Sequence, residues 1–199
     1  MNRNFTKLAF TDSVKKIQEQ YGSRKSYARM EMSGDKYVLT NREIPLIQSR
    51  DSFYMATVGE NGWPYVQYRG GPKGFLKVID NTTLGFADFR GNMQYISSGN
   101  IKSNQKAALF LIDYPSQQRL KIWAESEIID PNDNSELLQK LSDSNYKAVI
   151  ERLIIFKIQA YDWNCPQHIT QRYTTEEIAG EIERSNPDIL KSCCPDDID

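Results

Sequence analysis

The chain has one histidine, His168, among 199 residues. That excludes HExxH and multi-histidine metal sites. Its three cysteines are Cys165, Cys193 and Cys194. They form no CxxC pair and no disulfide framework, which points to a reducing compartment. No apolar run approaches the ~18 residues that span a membrane. The first residues, MNRNFTKLAFTDS, lack the apolar core of a signal peptide. The expectation is a soluble, cytoplasmic protein with no membrane partner. There is no GxSxG elbow to pair with His168, so serine-hydrolase chemistry is disfavoured. Gly70-Gly71-Pro72-Lys73-Gly74 is glycine-rich. It has neither the Lys-Ser/Thr of a P-loop nor a GxGxxG spacing, and reads as a loop that turns tightly.

Charge of one sign is also lacking. Lys plus Arg total 25 and Asp plus Glu total 26, a net of −1. A globally basic nucleic-acid binder is therefore excluded, and no nucleic-acid partner is expected. A barrel that stacks bases on aromatics is the reading this balance argues against. The charge is nevertheless uneven. Residues 1–25 hold six basic and two acidic side chains, a net of +4. Residues 61–125 hold eight and four, again +4, and residues 176–199 hold two and eight, a net of −6.

Periodicity supplies the elements. Thr11 predicts a helix cap, with Val14, Ile17 and Tyr21 on one helical face and Gly22 as the stop. Residues 24–37 read as a loop or arm. Thr40 is placed to cap a helix over 41–50, with Pro45 inside it. FYMATVGE, Asn61-Gly62 and WPYVQYR read as a hairpin with a tight type I′ turn. FLKVID and LGFADF form a second hairpin or meander, and QYISSGNIKSN a short helix. AALFLIDY reads as a strand buried on both faces. RLKIWAESEIID alternates, with Leu120, Ile122 and Ala124 on one face and Arg119, Lys121 and Trp123 on the other. Pro131 to Leu141 and 144–151 read as helices, and RLIIFKIQAYDW as a strand. Thr174 and Glu177 form a capping box for a last helix, followed by a tail over the final fourteen residues. Strands at regular spacing with helices between and after them predict a mostly β, α+β fold: a β-barrel or sandwich with helical decoration. The organisation is an N-terminal helical extension over 1–50, a barrel over 51–162, and a C-terminal helical segment and tail over 163–199.

Arg69, Lys73, Arg90, Arg119 and Lys121 lie on or just after predicted strands, interleaved with Tyr68, Phe75, Phe89, Tyr95 and Trp123. Guanidinium forks hold phosphate oxygens bidentately and aromatic faces accept flat rings, so the surface suits an anion with an aromatic body. Arg90-Gly91-Asn92 ends a strand just before a helix, where backbone N–H groups join the arginine in holding a phosphate.

These runs, SRDSFYMATVGENGWPYVQYRGGPKGFLKVID, TLGFADFRGNMQYISSGNI and ALFLIDYPSQQRLKIWAES, resemble the pyridoxamine 5′-phosphate oxidase-related flavin-binding proteins. The resemblance covers residues 8 to about 178. It implies an FMN-binding split barrel, a homodimer with FMN at the subunit interface, and an oxidoreductase acting on a small molecule. A protein that only holds flavin, deazaflavin or haem is the alternative. By the resemblance, Gln67, Tyr68, Arg69 and Gly70 run along the flavin ring and ribityl chain, and Phe89 and Arg90 add contacts from the next strand. A basic pair that holds the FMN phosphate falls here on Met93 and Gln94, neither of them charged. Arg90 and Asn92 are the natural substitutes. Arg119 and Lys121 match a late strand that reaches the flavin, with Lys121 near the pyrimidine end of the ring. Trp163, Gln167, His168 and Arg172 match the segment that crosses to the partner's flavin. DWNCPQHITQRY only partly resembles the C-terminal signature of proteins that oxidise pyridoxamine 5′-phosphate itself.

Overall fold

The computed structural model describes residues 4–32, 34, 36–163 and 167–185. Four helices come first: α1 Phe5–Ala9, α2 Asp12–Gln20, α3 Arg24–Glu31 and α4 Glu43–Ser49. Thr11 caps α2 as the sequence predicts, accepting from the Val14 N–H, and Gly22 follows with φ +74°. Residues 24–31 of the stretch read as a loop or arm instead form α3, tied by Arg24 to Glu31 at 2.6 Å and to Gln18 at 2.8 Å. Local ion pairing there outweighs the mixed composition that suggested a loop. Pro45 sits in the first turn of α4, where its missing N–H has no intrahelical acceptor to lose. Thr40 and Glu43 interlock ahead of that helix, with the Thr40 N–H and hydroxyl both donating to Glu43 Oε2.

The sheet follows: β1 Ser52–Val58, β2 Pro64–Gly70, β3 Lys77–Asp80, β4 Thr83–Phe89, helix α5 Ile96–Asn104, β5 Lys106–Asp113 and β6 Gln118–Ile129. Helix α6 Ser135–Leu141, β7 Ile150–Trp163 and helix α7 Thr175–Ser185 complete it. The β1–β2 turn corrects one expectation. Gly62 has φ +81° but Asn61 does not have positive φ. The Gly62 N–H donates to Gly59 O and the Gly59 N–H to Trp63 O. This is a three-residue loop with glycine in the left-handed position, not the two-residue type I′ turn. β5 buries Ala107, Leu109 and Leu111 and leaves the alternate residues partly exposed, so it is buried on one face and not on both. The helix expected from Pro131 begins only at Ser135, capped by Asn134. No helix forms over 144–151, because Ile150 and its successors pair with β4. Thr174 and Glu177 form the expected capping box. Residues 186–199, and with them Cys193 and Cys194, lie outside the described residues, as does Cys165.

All seven strands are antiparallel neighbours in the order β2-β1-β5-β6-β7-β4-β3. Three strands separate β1 from β4, a distance of about 19 Å on a flat sheet at ~4.8 Å per step. Yet Phe53 of β1 meets Phe86 of β4 with ring centroids 5.5 Å apart. The sheet therefore curls into a barrel around Phe53, Phe86 and Phe156, whose rings are 2% exposed or less. Phe86 and Phe156 stack at 5.9 Å. β2 and β3 remain edges, so the barrel is split, and the seam lies where β2 approaches β4. α1 covers the outer face, where Phe5 packs on Trp123 at 5.1 Å.

Candidate functional site

The seam is closed by ions. Asp88 of β4 is 1% exposed. It accepts from Arg69 of β2 at 2.6 Å and from Arg152 of β7 at 2.7 and 2.8 Å. Asp88 and Arg152 lie directly opposite in the β4–β7 ladder. The ladder then slips, pairing Phe89 with Ile150, so Glu151 is the extra residue of a bulge. At the bulge one Glu151 oxygen meets Arg90 at 2.8 Å, while the other meets Arg152 at 3.0 Å. Three arginines thus surround two carboxylates, a net of +1. Burial lowers the Arg69 pKa, and the neighbouring Arg152 adds to that, against the pull of Asp88. For Arg152 burial acts downward too, but Asp88 and Glu151 outweigh it and its pKa rises. Arg69 Nε is buried without a hydrogen-bond acceptor.

Beside this cluster lies a pocket of 40 Å³, room for a small oxygen-rich group and not for a ring. Gln67, Arg69, Phe89, Asn92, Gln94 and Arg152 are among its lining residues, together with Ser97 and Ser98 at the start of α5. Tyr95 precedes α5 with φ 54° and offers no side-chain cap. The first residues of this nine-residue helix line the pocket and no side chain caps their N–H groups, a disposition that favours an anion. Met93 is also left-handed, φ 57°. Two such non-glycine residues in one loop cost of order 1–3 kcal/mol each, a strain that clusters at functional sites. The Tyr95 ring holds the Arg152 guanidinium 4.8 Å from its centroid. Asn92 Oδ1 accepts from the Gln94 N–H, and Gln67 Oε1 from the Ser97 hydroxyl at 3.0 Å. A hollow of 610 Å³ adjoins, sharing Tyr65 and Ile96 with the pocket and bounded by Trp63 and Asn100.

Of the residues named from the sequence, Gln67, Arg69, Phe89, Asn92, Met93, Gln94 and Tyr95 line this pocket, and Arg90 does not. The Arg90 side chain is 58% exposed and engaged with Glu151. Alternation separates Tyr68 from Gln67 and Arg69. It stands on the outer face, its ring 5.8 Å from Tyr54. Gly70 ends β2 beneath the Tyr68 ring, which a Cβ there would meet at 2.9 Å. Lys121 also lies on the outer face, 3.6 Å from Asp162 and 4.7 Å from the Phe5 ring centroid. Arg119 sits on the same face of β6, opposite Ile112.

Trp163 is eleven residues along β7 from Arg152, about 36 Å at ~3.3 Å per residue. Its indole N–H donates to Glu43 at 2.6 Å, and Arg42 lies over the ring at 4.5 Å. Burial pushes the Glu43 carboxyl up, but bonds from Thr40 and Trp163 outweigh it and hold the pKa below the ordinary value. Tyr161 beside it is pushed up to about 12 by burial and by Glu43. Gln167 and His168 are exposed, His168 with φ 64°, and Arg172 covers the Tyr114 ring at 5.2 Å. Sequence reasoning missed Asp88, Arg152, Tyr65, Ser97 and Ser98. Among the described residues no group of His, Cys, Asp and Glu could hold a metal ion. No described helix is long and apolar enough to cross a membrane.

The sequence profile of the pyridoxamine 5′-phosphate oxidase family matches residues 41–165. No curated protein matches the chain. Among solved structures, a protein from Lactobacillus delbrueckii provisionally assigned as a pyridoxamine 5′-phosphate oxidase is 24% identical. The match covers 64% of this chain and 95% of that one, with a TM-score of 0.49. An FMN-binding protein from Syntrophomonas wolfei is 16% identical over 74% of this chain and 97% of its own, TM-score 0.49. An F420 reductase is 20% identical over 59% and 94%, TM-score 0.44.

Proposed function

For this chain, which belongs to the pyridoxamine 5′-phosphate oxidase family, we propose an FMN-binding flavoprotein that acts as an oxidoreductase on a small molecule. The observation that carries the reading is the pocket where the uncapped start of α5 meets Arg69 and Arg152, with Arg69 Nε lacking an acceptor. A phosphate carries nearly two negative charges and three acceptor oxygens, which suits such a donor set. The adjoining 610 Å³ hollow is within the size range of cofactor sites. Arg152 takes the role that the neutral Met93 and Gln94 leave open, and Arg90 acts from outside the pocket. FMN, when bound, supplies the hydride or electron transfer, and the protein supplies placement and electrostatics. Arg69 and Arg152 hold the anion, Asp88 fixes both guanidinium groups, and Gln67 and Ser97 line the pocket between them.

The active unit in this reading is a homodimer with flavin at the interface. Trp163, Gln167, His168, Arg172, Arg119 and Lys121 lie far from the pocket of their own chain or on its outer face. They serve the site of a second copy, and Lys121 then stands near the reduced flavin's negative charge. Purified protein is expected to be yellow, to release FMN and to bleach with NADH or NADPH. Arg152→Gln should weaken FMN binding at least tenfold, about 1.4 kcal/mol, in a fluorescence titration. Arg90→Ala should cost less than that. A colourless protein that fails to bind added FMN refutes the reading. Binding of a deazaflavin or haem in its place would favour the corresponding alternative.

A further inference from the structure

Two amphipathic helices leave their apolar stripes uncovered. Val14 and Ile17 of α2 and Tyr21 at its C-terminal end follow a helical face as the sequence predicts, but they are 36%, 55% and 77% exposed. On α7, Ile178 and Ile182 stand one turn apart, 48% and 42% exposed, and no residue of the helix is buried. An isolated helix of eleven residues is marginal in water and needs a packed face to persist. The two helices carry opposite charge. Lys15, Lys16 and Lys25 on α2 and α3 make no close ion pair among the described residues, Lys15 acting on Glu31 only through its charge, and residues 1–25 carry +4. α7 carries Glu176, Glu177, Glu181 and Glu183 against the single Arg184, which bonds to Glu181 within the helix.

The segment ahead of α7 is fixed to another part of the chain. Gln117 donates to the Ile169 carbonyl at 2.6 Å, Gln171 to the Pro115 carbonyl at 2.8 Å, and Arg172 covers Tyr114. These bonds moor residues 169–172 to the β5–β6 turn, and α7 projects from that mooring with both stripes still open.

We propose that α7 docks on the α2–α3 face of a second copy of this chain, Ile178 and Ile182 against Val14, Ile17 and Tyr21, with the glutamates over Lys15, Lys16 and Lys25. The exchange is reciprocal, since a two-fold pair presents each surface twice. Apolar burial supplies the attraction and the opposite charges supply orientation and partner choice. The contact requires no flavin and stands apart from the functional reading.

The test uses the full chain with Cys165, Cys193 and Cys194 replaced by serine. One copy carries Ile17→Cys and a differently tagged copy carries Ile182→Cys, and the two are co-expressed and mildly oxidised. A disulfide-linked heterodimer is expected on a non-reducing gel, at a yield that falls severalfold in 0.5 M salt. Lys15→Glu with Lys16→Glu should also lower the yield severalfold, and adding Glu177→Lys with Glu181→Lys should restore it. Circular dichroism and light scattering on each variant establish that it is folded and report its mass. A folded dimer without the cross-link overturns the inference while leaving the homodimer intact. So does a cross-link that forms only within one chain when both cysteines are present together.

Discussion

Asp88→Asn removes the charge that holds the barrel's seam and changes almost nothing else in shape. Asp88 is 1% exposed, and its partners Arg69 and Arg152 have side chains 14% and 20% exposed. Both carboxylate oxygens are used, one by each guanidinium. The amide keeps one acceptor and presents a donor to the other arginine, so one bond is lost and one contact turns repulsive. Arg69 is then left with no anion, and Arg152 keeps only Glu151. Breaking a buried ion pair from one side costs roughly 3–5 kcal/mol. For a chain of this size each kcal/mol lowers Tm by about 2–4 °C. A drop of about 6–20 °C is therefore expected in calorimetry. The same uncompensated charge makes a second prediction in the same protein. Phosphate or FMN should raise the Tm of Asp88→Asn more than it raises that of the parent, since an anion in the pocket replaces the missing one. A loss under about 1 kcal/mol would refute the claim that Asp88 neutralises the arginines. An equal ligand-induced rise in both proteins would refute the claim that the pocket's anion and Asp88 share them.

Trp163→Phe should cost about 1.5–3 kcal/mol by urea titration, since it deprives a buried carboxylate of a hydrogen bond. The Glu43 pKa is lowered on folding. Its contribution is thus present above the ordinary carboxylate value and lost as pH falls through the lowered one. The gap between parent and Trp163→Phe should accordingly narrow below that folded pKa; a constant gap would mean that the indole contributes packing alone. Gly74 has φ +76°, and a Cβ there would lie 2.8 Å from the Gln48 carbonyl oxygen. Gly74→Ala should lose about 1–3 kcal/mol by thermal denaturation. Gly91→Ala, where a Cβ meets nothing, is the control and should stay within about 0.5 kcal/mol.

Much of the barrel was legible because strand alternation is local. Leu120, Ile122 and Ala124 are buried, while Arg119, Lys121 and Trp123 take the other face, as their spacing predicts. Helix caps at Thr11 and Thr174 were legible for the same reason, since a cap bonds within three residues. The same rule held the signal for the residues that were missed. Asp88 falls in phase with the buried Leu84 and Phe86, and Arg152 in phase with Ile154, Phe156 and Ile158. A charge in the apolar phase of a strand must find a buried partner. Arg90 drew attention instead because it stands next to Gly91 and Asn92. Arg90 is exposed and paired with Glu151 at the bulge, and a one-residue slip in a ladder between strands so far apart in sequence leaves no local trace.

Scarcity and pattern alone determined that one histidine cannot build a multi-histidine metal site, that the chain is a mostly β fold with helices, and that its basic excess lies in residues 1–25 and 61–125 and its acidic excess in residues 176–199. Each of these depends on residue type and on spacing along the chain. Tertiary structure decided which cations meet. Curling the sheet brings β2 to β4, five steps apart in strand order, and puts Arg69 within 2.6 Å of Asp88. It also decided that Val14, Ile17 and Tyr21 face outward, because hydrophobic spacing marks a face to be covered and only the packed chain shows whether its own residues cover it.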